Sequence, residues 1–249
     1  LRDGYTGLDV IRIRRAKLPE PLRHQLARKT EELRASEAGP GEARNEWKRA
    51  ENVRRSVREL LATMATGIKR CMYCGDNQGD AIDHFEPIAQ APLRTFDWHN
   101  HFLACSHCNS HQKRDLFPRA ANGTPLLIDP TAEDPYEHLR LLLSIGEYEA
   151  LSEQGEATIK VFGLNRTVLT RGRAVAFITM RSLLRDRQRL VQEGNPTEAA
   201  EITESLRFQP FADVLSAMLR YRHLPGAAVV LGGPDVLEAL DDPELDFWS

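Results

Sequence analysis

The sequence predicts an α+β fold, mostly α, on three observations. Long segments toward both ends repeat apolar residues at helical spacing. All four cysteines fall in a short central stretch as two Cys-x-x-Cys pairs, Cys71/Cys74 and Cys105/Cys108. The same central part reads as extended in "AIDHFEP" between the pairs and in "GTPLLIDP" beyond them, a short run closed by prolines. Tetrahedral Zn²⁺ takes four thiolates at about 2.3 Å, and two such turns supply a closed set. No cysteine is left over and no secretory leader pattern is visible, so disulfides are the poorer reading. The expected architecture is a small zinc-stabilised core, residues 67–130, flanked by a basic N-terminal helical segment, 1–66, and a mainly helical C-terminal region with an acidic tail, 131–249.

Each element follows from local pattern. Residues 19–36, "PEPLRHQLARKTEELRAS", predict a helix with proline at its start and Leu22, Leu26 and Leu33 on one side. "EAGPGEA" at 37–43 reads as a loop. Residues 44–66 predict a second helix, with Trp47, Val53, Val57, Leu60, Leu61 and Met64 as its apolar stripe and Arg44, Lys48, Arg54, Arg55 and Arg58 as a basic face. "DPYEHLRLLLSIG" is a helix start or an extended piece. "GEATIKVFGL" predicts a strand, because Ala157, Ile159 and Val161 alternate with polar residues. "NRTVLTRGRAVAFITMRSLLRDRQRLVQEG" predicts a long helix ending at Gly194. "PTEAAEITESL" and "PFADVLSAMLRYRHL" are further helices, and "DDPELDFWS" reads as a loosely attached tail.

Composition narrows the class. Of 249 residues, 41% are hydrophobic and 28% charged, ordinary for a soluble protein. No apolar run reaches about 18 residues, so a membrane span is not expected, and the expected location is cytoplasmic. There is no G-x-x-x-x-G-K-[ST] loop for nucleoside triphosphates. The net charge of −3 argues against a general nucleic-acid binder, but it is unevenly spread. Residues 1–70 hold 17 Lys and Arg against 10 Asp and Glu, whereas 223–249 hold six acids and no Lys or Arg. The N-terminal segment is therefore the better face for a phosphate backbone, Arg54, Arg55 and Arg58 above all. A solvated helical surface accounts for the same charges.

The spacing of the cysteine pairs points further. Thirty residues separate them, more than in a simple zinc ribbon, so folded structure is held between the knuckles. That stretch carries "AIDHFEPIAQAP" and "FDWHNHFLACSHCNSHQK". With its Asp-His-x-x-Pro, its central Asn before Phe-Leu and its closing Cys-x-x-Cys-Asn, it closely resembles the HNH, or ββα-metal, endonuclease family in its four-cysteine zinc-bound form. The resemblance covers residues 71–113. It implies a hairpin that starts near Asp83–His84 and returns through Phe102–Leu103, then a helix from near Ser106. It also implies that His84 is the general base, that Asn100 orders the loop and orients His84, and that Asp83 and Asn109 bind a catalytic Mg²⁺ or Mn²⁺. The chemistry is coherent on its own terms. Phosphodiester hydrolysis needs an activated water, which a near-neutral histidine supplies. It also needs charge stabilisation at the phosphate and the leaving oxygen, which a divalent cation supplies. Lys113 and His111 are candidate phosphate contacts, and His111 is the substitute if Asn109 does not bind metal. His99, His101 and His107 read as surface histidines, and Trp98 and Phe102 as core residues.

Outside the motif, "IRIRRAKLPEPL", "PLLIDPTAEDPYEHL" and "GEATIKVFGLNRTVLTRGR" resemble the PtuB-like HNH proteins of Septu-type anti-phage systems and their retron relatives. That resemblance implies a DNA substrate and an ATPase partner of the PtuA type. The HNH unit needs only about residues 67–120, so the segments flanking it are expected to make that contact, with the acidic tail a docking peptide or a disordered end. Alternatives of other classes are an HNH-type RNA nuclease acting on tRNA, and a zinc-stabilised binding module without catalysis.

Overall fold

The computed structural model describes residues 13–76 and 78–245. Expectations that fall on residues 1–12 and on Phe247 and Trp248 lie outside the described residues. The fold is α+β, mostly α. Helix α1 (Glu20–Ala35) follows Pro19 directly and buries Leu22, Leu26 and Leu33, as its spacing predicts. The expected helix over 44–66 is two. Helix α2 (Pro40–Arg49) begins inside the stretch read as a loop, because Pro40 is pre-set for a first helical turn. Helix α3 (Glu51–Met64) follows after Ala50, whose φ of −81° and ψ of 50° break the ladder.

At the centre, β1 (Ala81–His84) pairs antiparallel with β2 (His101–Ala104), in the register Ile82 to Leu103, Asp83 to Phe102 and His84 to His101. A π-helix, His107–Lys113, follows β2, so the expected hairpin and helix are present. Side chains alternate across a strand, and here the alternation divides two cores. Phe102 and Ala104 join the cysteines and the C-terminal helices. Leu103, with Ile82 partly buried beside it, joins Val53, Val57 and Leu61 of α3 together with Ile88, Phe96 and Trp98. The hairpin is thus clamped between the two helical segments.

A second hairpin, β3 (Leu139–Leu142) and β4 (Glu147–Ala150), turns at Gly146, where φ is 69° and a Cβ would meet the Thr170 carbonyl oxygen at 2.1 Å. Only glycine fits that turn against the helix that carries Thr170. "GEATIKVFGL" is not a strand but most of helix α4 (Glu153–Phe162). Its ends decide the matter. The Ser152 side chain accepts from the Gly155 N–H, and Gly163 closes the helix at φ 57°. The helical set Thr158, Val161 and Phe162 is buried, while Ala157 and Ile159 merely happen to alternate with Val161.

Helices α5 (Thr167–Gln192), α6 (Pro196–Phe208), α7 (Ala212–Tyr221), α8 (Ala227–Leu231) and α9 (Pro234–Leu240) complete the larger core. The acidic tail is not loosely attached as far as Leu245. Leu240 and Leu245 are buried, and the buried Arg187 guanidinium donates to Asp242 at 2.8 Å, Glu244 at 2.7 Å and Thr203 Oγ1 at 2.7 Å. No helix among the described residues is long and apolar enough to cross a membrane.

Candidate active site

The four cysteines converge. Their sulfurs lie within 4.8 Å of one another, with Cys74 and Cys105 at 4.0 Å, and all four residues are buried. A tetrahedron with metal–sulfur distances of about 2.3 Å has sulfurs about 3.8 Å apart, so this all-thiol set fits a zinc frame. Local folding makes the fit. Gly75, at φ 66°, donates to the Cys71 carbonyl at 3.0 Å and closes the first knuckle. In the second knuckle, the Cys108 N–H points at the Cys105 sulfur at 3.4 Å.

Asp83 and His84 are chain neighbours on one strand, so their side chains leave it on opposite faces. His84 turns toward the N-terminal helices. Its Nε2 lies 3.0 Å from the Thr95 carbonyl oxygen, and its ring meets the Trp47 ring edge-on at 4.7 Å. Burial holds its pKa well below the usual histidine value, helped by His101, against the pull of the Thr95 bond. His101, expected at the surface, is fully buried, and its Nε2 reaches the same carbonyl at 2.9 Å. Burial brings its pKa down to about 4. Both rings are therefore neutral at pH 7.

Asp83 turns the other way and accepts one hydrogen bond on each oxygen. Its Oδ2 accepts from the Tyr73 hydroxyl at 2.6 Å and its Oδ1 from the Lys113 ammonium at 3.1 Å. Lys113 also donates to the His84 carbonyl at 2.6 Å and has no exposed surface. The expectation that Lys113 contacts phosphate is therefore corrected: its ammonium is the counter-ion of a buried carboxylate. Burial pushes the Asp83 carboxyl up and the Lys113 ammonium down, and each counters the other's shift. Sealed from solvent with the Lys113 ammonium already against it, Asp83 does not fit a divalent cation in this arrangement. Asn109 is half-buried on the π-helix, one residue beyond Cys108.

The fully buried Asn100 side chain bridges the loop between β1 and β2. Its Oδ1 accepts from the Glu86 N–H at 2.7 Å, and its Nδ2 donates to the Glu86 and Arg94 carbonyls at 3.0 and 3.2 Å. One fully buried amide thus closes the loop that carries Thr95. Glu86 adds ion pairs to Arg94 and Arg119. The sequence reading missed Arg15. Its guanidinium donates to the carbonyls of Trp98, His99 and His101 at 3.0, 3.0 and 2.7 Å and stacks 4.5 Å from the Phe102 ring. Tyr73, Trp47 and Thr95 were missed too. The residue between two cysteines of a Cys-x-x-Cys turn and the aromatic on an N-terminal helix carry no motif of their own.

Among the candidate phosphate contacts, Arg55 and Arg58 are exposed on α3, and Arg54 is half-buried. Arg55 donates to Asn52 at 2.5 Å. His111 is exposed and stacks on His107 at 5.5 Å. Helix α3 packs on the hairpin with Val53, Val57 and Leu61 buried and Arg55 and Arg58 exposed.

Comparisons with known proteins agree with this geometry. Residues 71–115 match the family model described as HNH endonuclease. The chain is similar to the Septu protein PtuB of Bacillus mycoides (strain KBAB4), with 29% identity over 149 residues, 48% of this chain and 50% of that protein. The chain thus spans about half the length of the curated relative it matches. No solved structure matches it.

Proposed function

We propose that this chain is a metal-dependent HNH-type endonuclease that hydrolyses phosphodiester bonds of DNA, and that it serves anti-phage defence beside an ATPase partner of the PtuA type. The observation that carries the reading is the state of His84. A backbone carbonyl holds Nε2, which must be the protonated nitrogen because a carbonyl only accepts. The neutral ring then presents Nδ1 as a lone pair, and Nδ1 is not among the buried atoms lacking a partner, whereas Nδ1 of His101 is. A water against His84 Nδ1 gives up its proton as its oxygen attacks phosphorus; the bond from phosphorus to the leaving sugar oxygen breaks, and that oxygen takes a proton from solvent. Asn100 keeps the loop, and with it the Thr95 carbonyl, in place throughout.

The catalytic Mg²⁺ or Mn²⁺ belongs to this proposal with Asp83 and Asn109 as its holders, on the condition that Lys113 yields its place at Asp83. When bound it would stabilise charge on the phosphate and the leaving oxygen. The exposed arginines Arg55 and Arg58, with Arg54 beside them, would meet the phosphate backbone, and His111 would meet it from the π-helix. The matched HNH segment supports the nuclease reading, and similarity to a Septu protein supports the defence role and the partner. The test incubates zinc-loaded protein with supercoiled plasmid and, separately, with tRNA, with Mg²⁺ or Mn²⁺ and with chelator. Metal-dependent nicking of the plasmid is expected. Cleavage of tRNA alone would move the substrate to RNA, and cleavage of neither, with or without an ATPase of the PtuA type, would overturn the enzyme reading.

A further inference from the structure

The Thr95 carbonyl oxygen receives two histidines, His84 at 3.0 Å and His101 at 2.9 Å, both through Nε2. A carbonyl oxygen has two lone pairs and no proton, so each contact is a hydrogen bond only if each ring carries its proton on Nε2. The two residues face each other across β1 and β2, with ring centroids 4.9 Å apart and planes at 79°. A third ring closes the box. Trp47, from α2, stacks on His101 at 5.0 Å and 27°, meets His84 edge-on at 4.7 Å, and leans on Phe96 at 5.5 Å. His101 has no reaching-out role, since its own Nδ1 is buried without a partner. A fold that seals an imidazole nitrogen in this way bears a desolvation cost. The gain it can show is the second donor on Thr95 and the stacking face for Trp47.

We propose that His101 and Trp47 are positioning residues that lock His84 as its Nε2–H tautomer, which leaves the Nδ1 lone pair as the proton acceptor. Trp47 lies outside the segment that matches the HNH model, so the N-terminal helices complete the site rather than merely covering it. Without Trp47, His84 and His101 would be free to rotate off Thr95, and a shift of about 1 Å at a reacting group can cost about 100-fold in rate. The inference rests on the reading of His84 as base.

The test has a spectroscopic arm and a kinetic arm. Two-bond ¹⁵N–¹H correlation on the ¹⁵N-histidine-labelled full chain reads the tautomers directly, with no reaction involved. Both His84 and His101 are expected as Nε2–H in the parent. In Trp47→Ala and His101→Phe, the His84 signal should shift toward a mixture of tautomers. In plasmid nicking, both variants should lose about tenfold or more in kcat with KM within about twofold, and Trp47→Phe should recover most of that loss because its ring keeps the stack. Zinc content and melting temperature report folding. If Trp47→Ala does not fold, the parent tautomer and the other two variants still decide. A parent His84 protonated on Nδ1, or a folded Trp47→Ala protein with the parent's kcat, would overturn the proposal. His84→Ala at the parent rate would instead remove the base reading, and the tautomer result would stand apart from it.

Discussion

Replacing Lys113 by methionine separates the sequence reading of this residue from its structural setting. Lys113 Nζ is 3.1 Å from Asp83 Oδ1 and 2.6 Å from the His84 carbonyl, and the two side chains are 0% and 3% exposed. At that burial solvent screens little, so the substitution leaves a sealed carboxylate with the Tyr73 hydroxyl as its one remaining donor. Removing one partner of such a pair costs about 3–5 kcal/mol, against a total stability of about 5–15 kcal/mol for a typical domain. Adding Asp83→Asn to Lys113→Met removes the stranded charge. The double variant should therefore be more stable than Lys113→Met alone by at least about 1 kcal/mol. The assay is urea unfolding of zinc-loaded protein with zinc measured in the same samples. DNA binding without divalent metal gives the second readout. A phosphate-contacting lysine would lower the salt slope by about one when removed, whereas the buried Lys113 predicts an unchanged slope in the folded fraction. A Lys113→Met protein within about 0.5 kcal/mol of the parent, with a reduced salt slope, would refute the buried pair.

Other outcomes follow from the same structure. Cys71→Ser should lose zinc and fold poorly, because structural zinc contributes about 10–16 kcal/mol in small domains; a zinc-free, cooperatively unfolding variant would contradict this. His101 has a folded pKa depressed to about 4, so its contribution to stability is full above the unfolded value near 6.5 and fades as pH falls toward 4. Over those 2.5 or so units the loss is about 3 kcal/mol, and His101→Gln should show a correspondingly flatter acid limb in pH-dependent unfolding. Removing residues 241–249 should destabilise the fold by about 1–3 kcal/mol, since Arg187 is buried and loses Asp242 and Glu244; a melting temperature unchanged by the truncation would restore the picture of a loose tail.

The sequence disclosed the chemistry of the core better than its supports. Two Cys-x-x-Cys pairs have few uses, and the register that sets Asp83 against Phe102 follows once the hairpin between them is recognised. The chain between 153 and 162 misled because alternation over five residues is shared by strands and helices, while Ser152 and Gly163 held the deciding signal at its ends. Lys113 misled for a different reason. A lysine one turn beyond a ligand-like Asn looks solvent-bound until the fold shows a carboxylate 30 residues away beneath it. Arg15, Tyr73 and Trp47 act on partners remote in sequence, and no local pattern announces such pairings.

The proposed hydrolysis turns on His84 as the group that takes a proton from water. The most direct measurement is plasmid nicking by His84→Ala beside the parent, under Mg²⁺ and Mn²⁺, with zinc content and melting temperature matched. The parent should nick, and the variant should be slower by about 10²–10⁴-fold with its fold intact. A folded, zinc-loaded His84→Ala protein that nicks at the parent rate would contradict it.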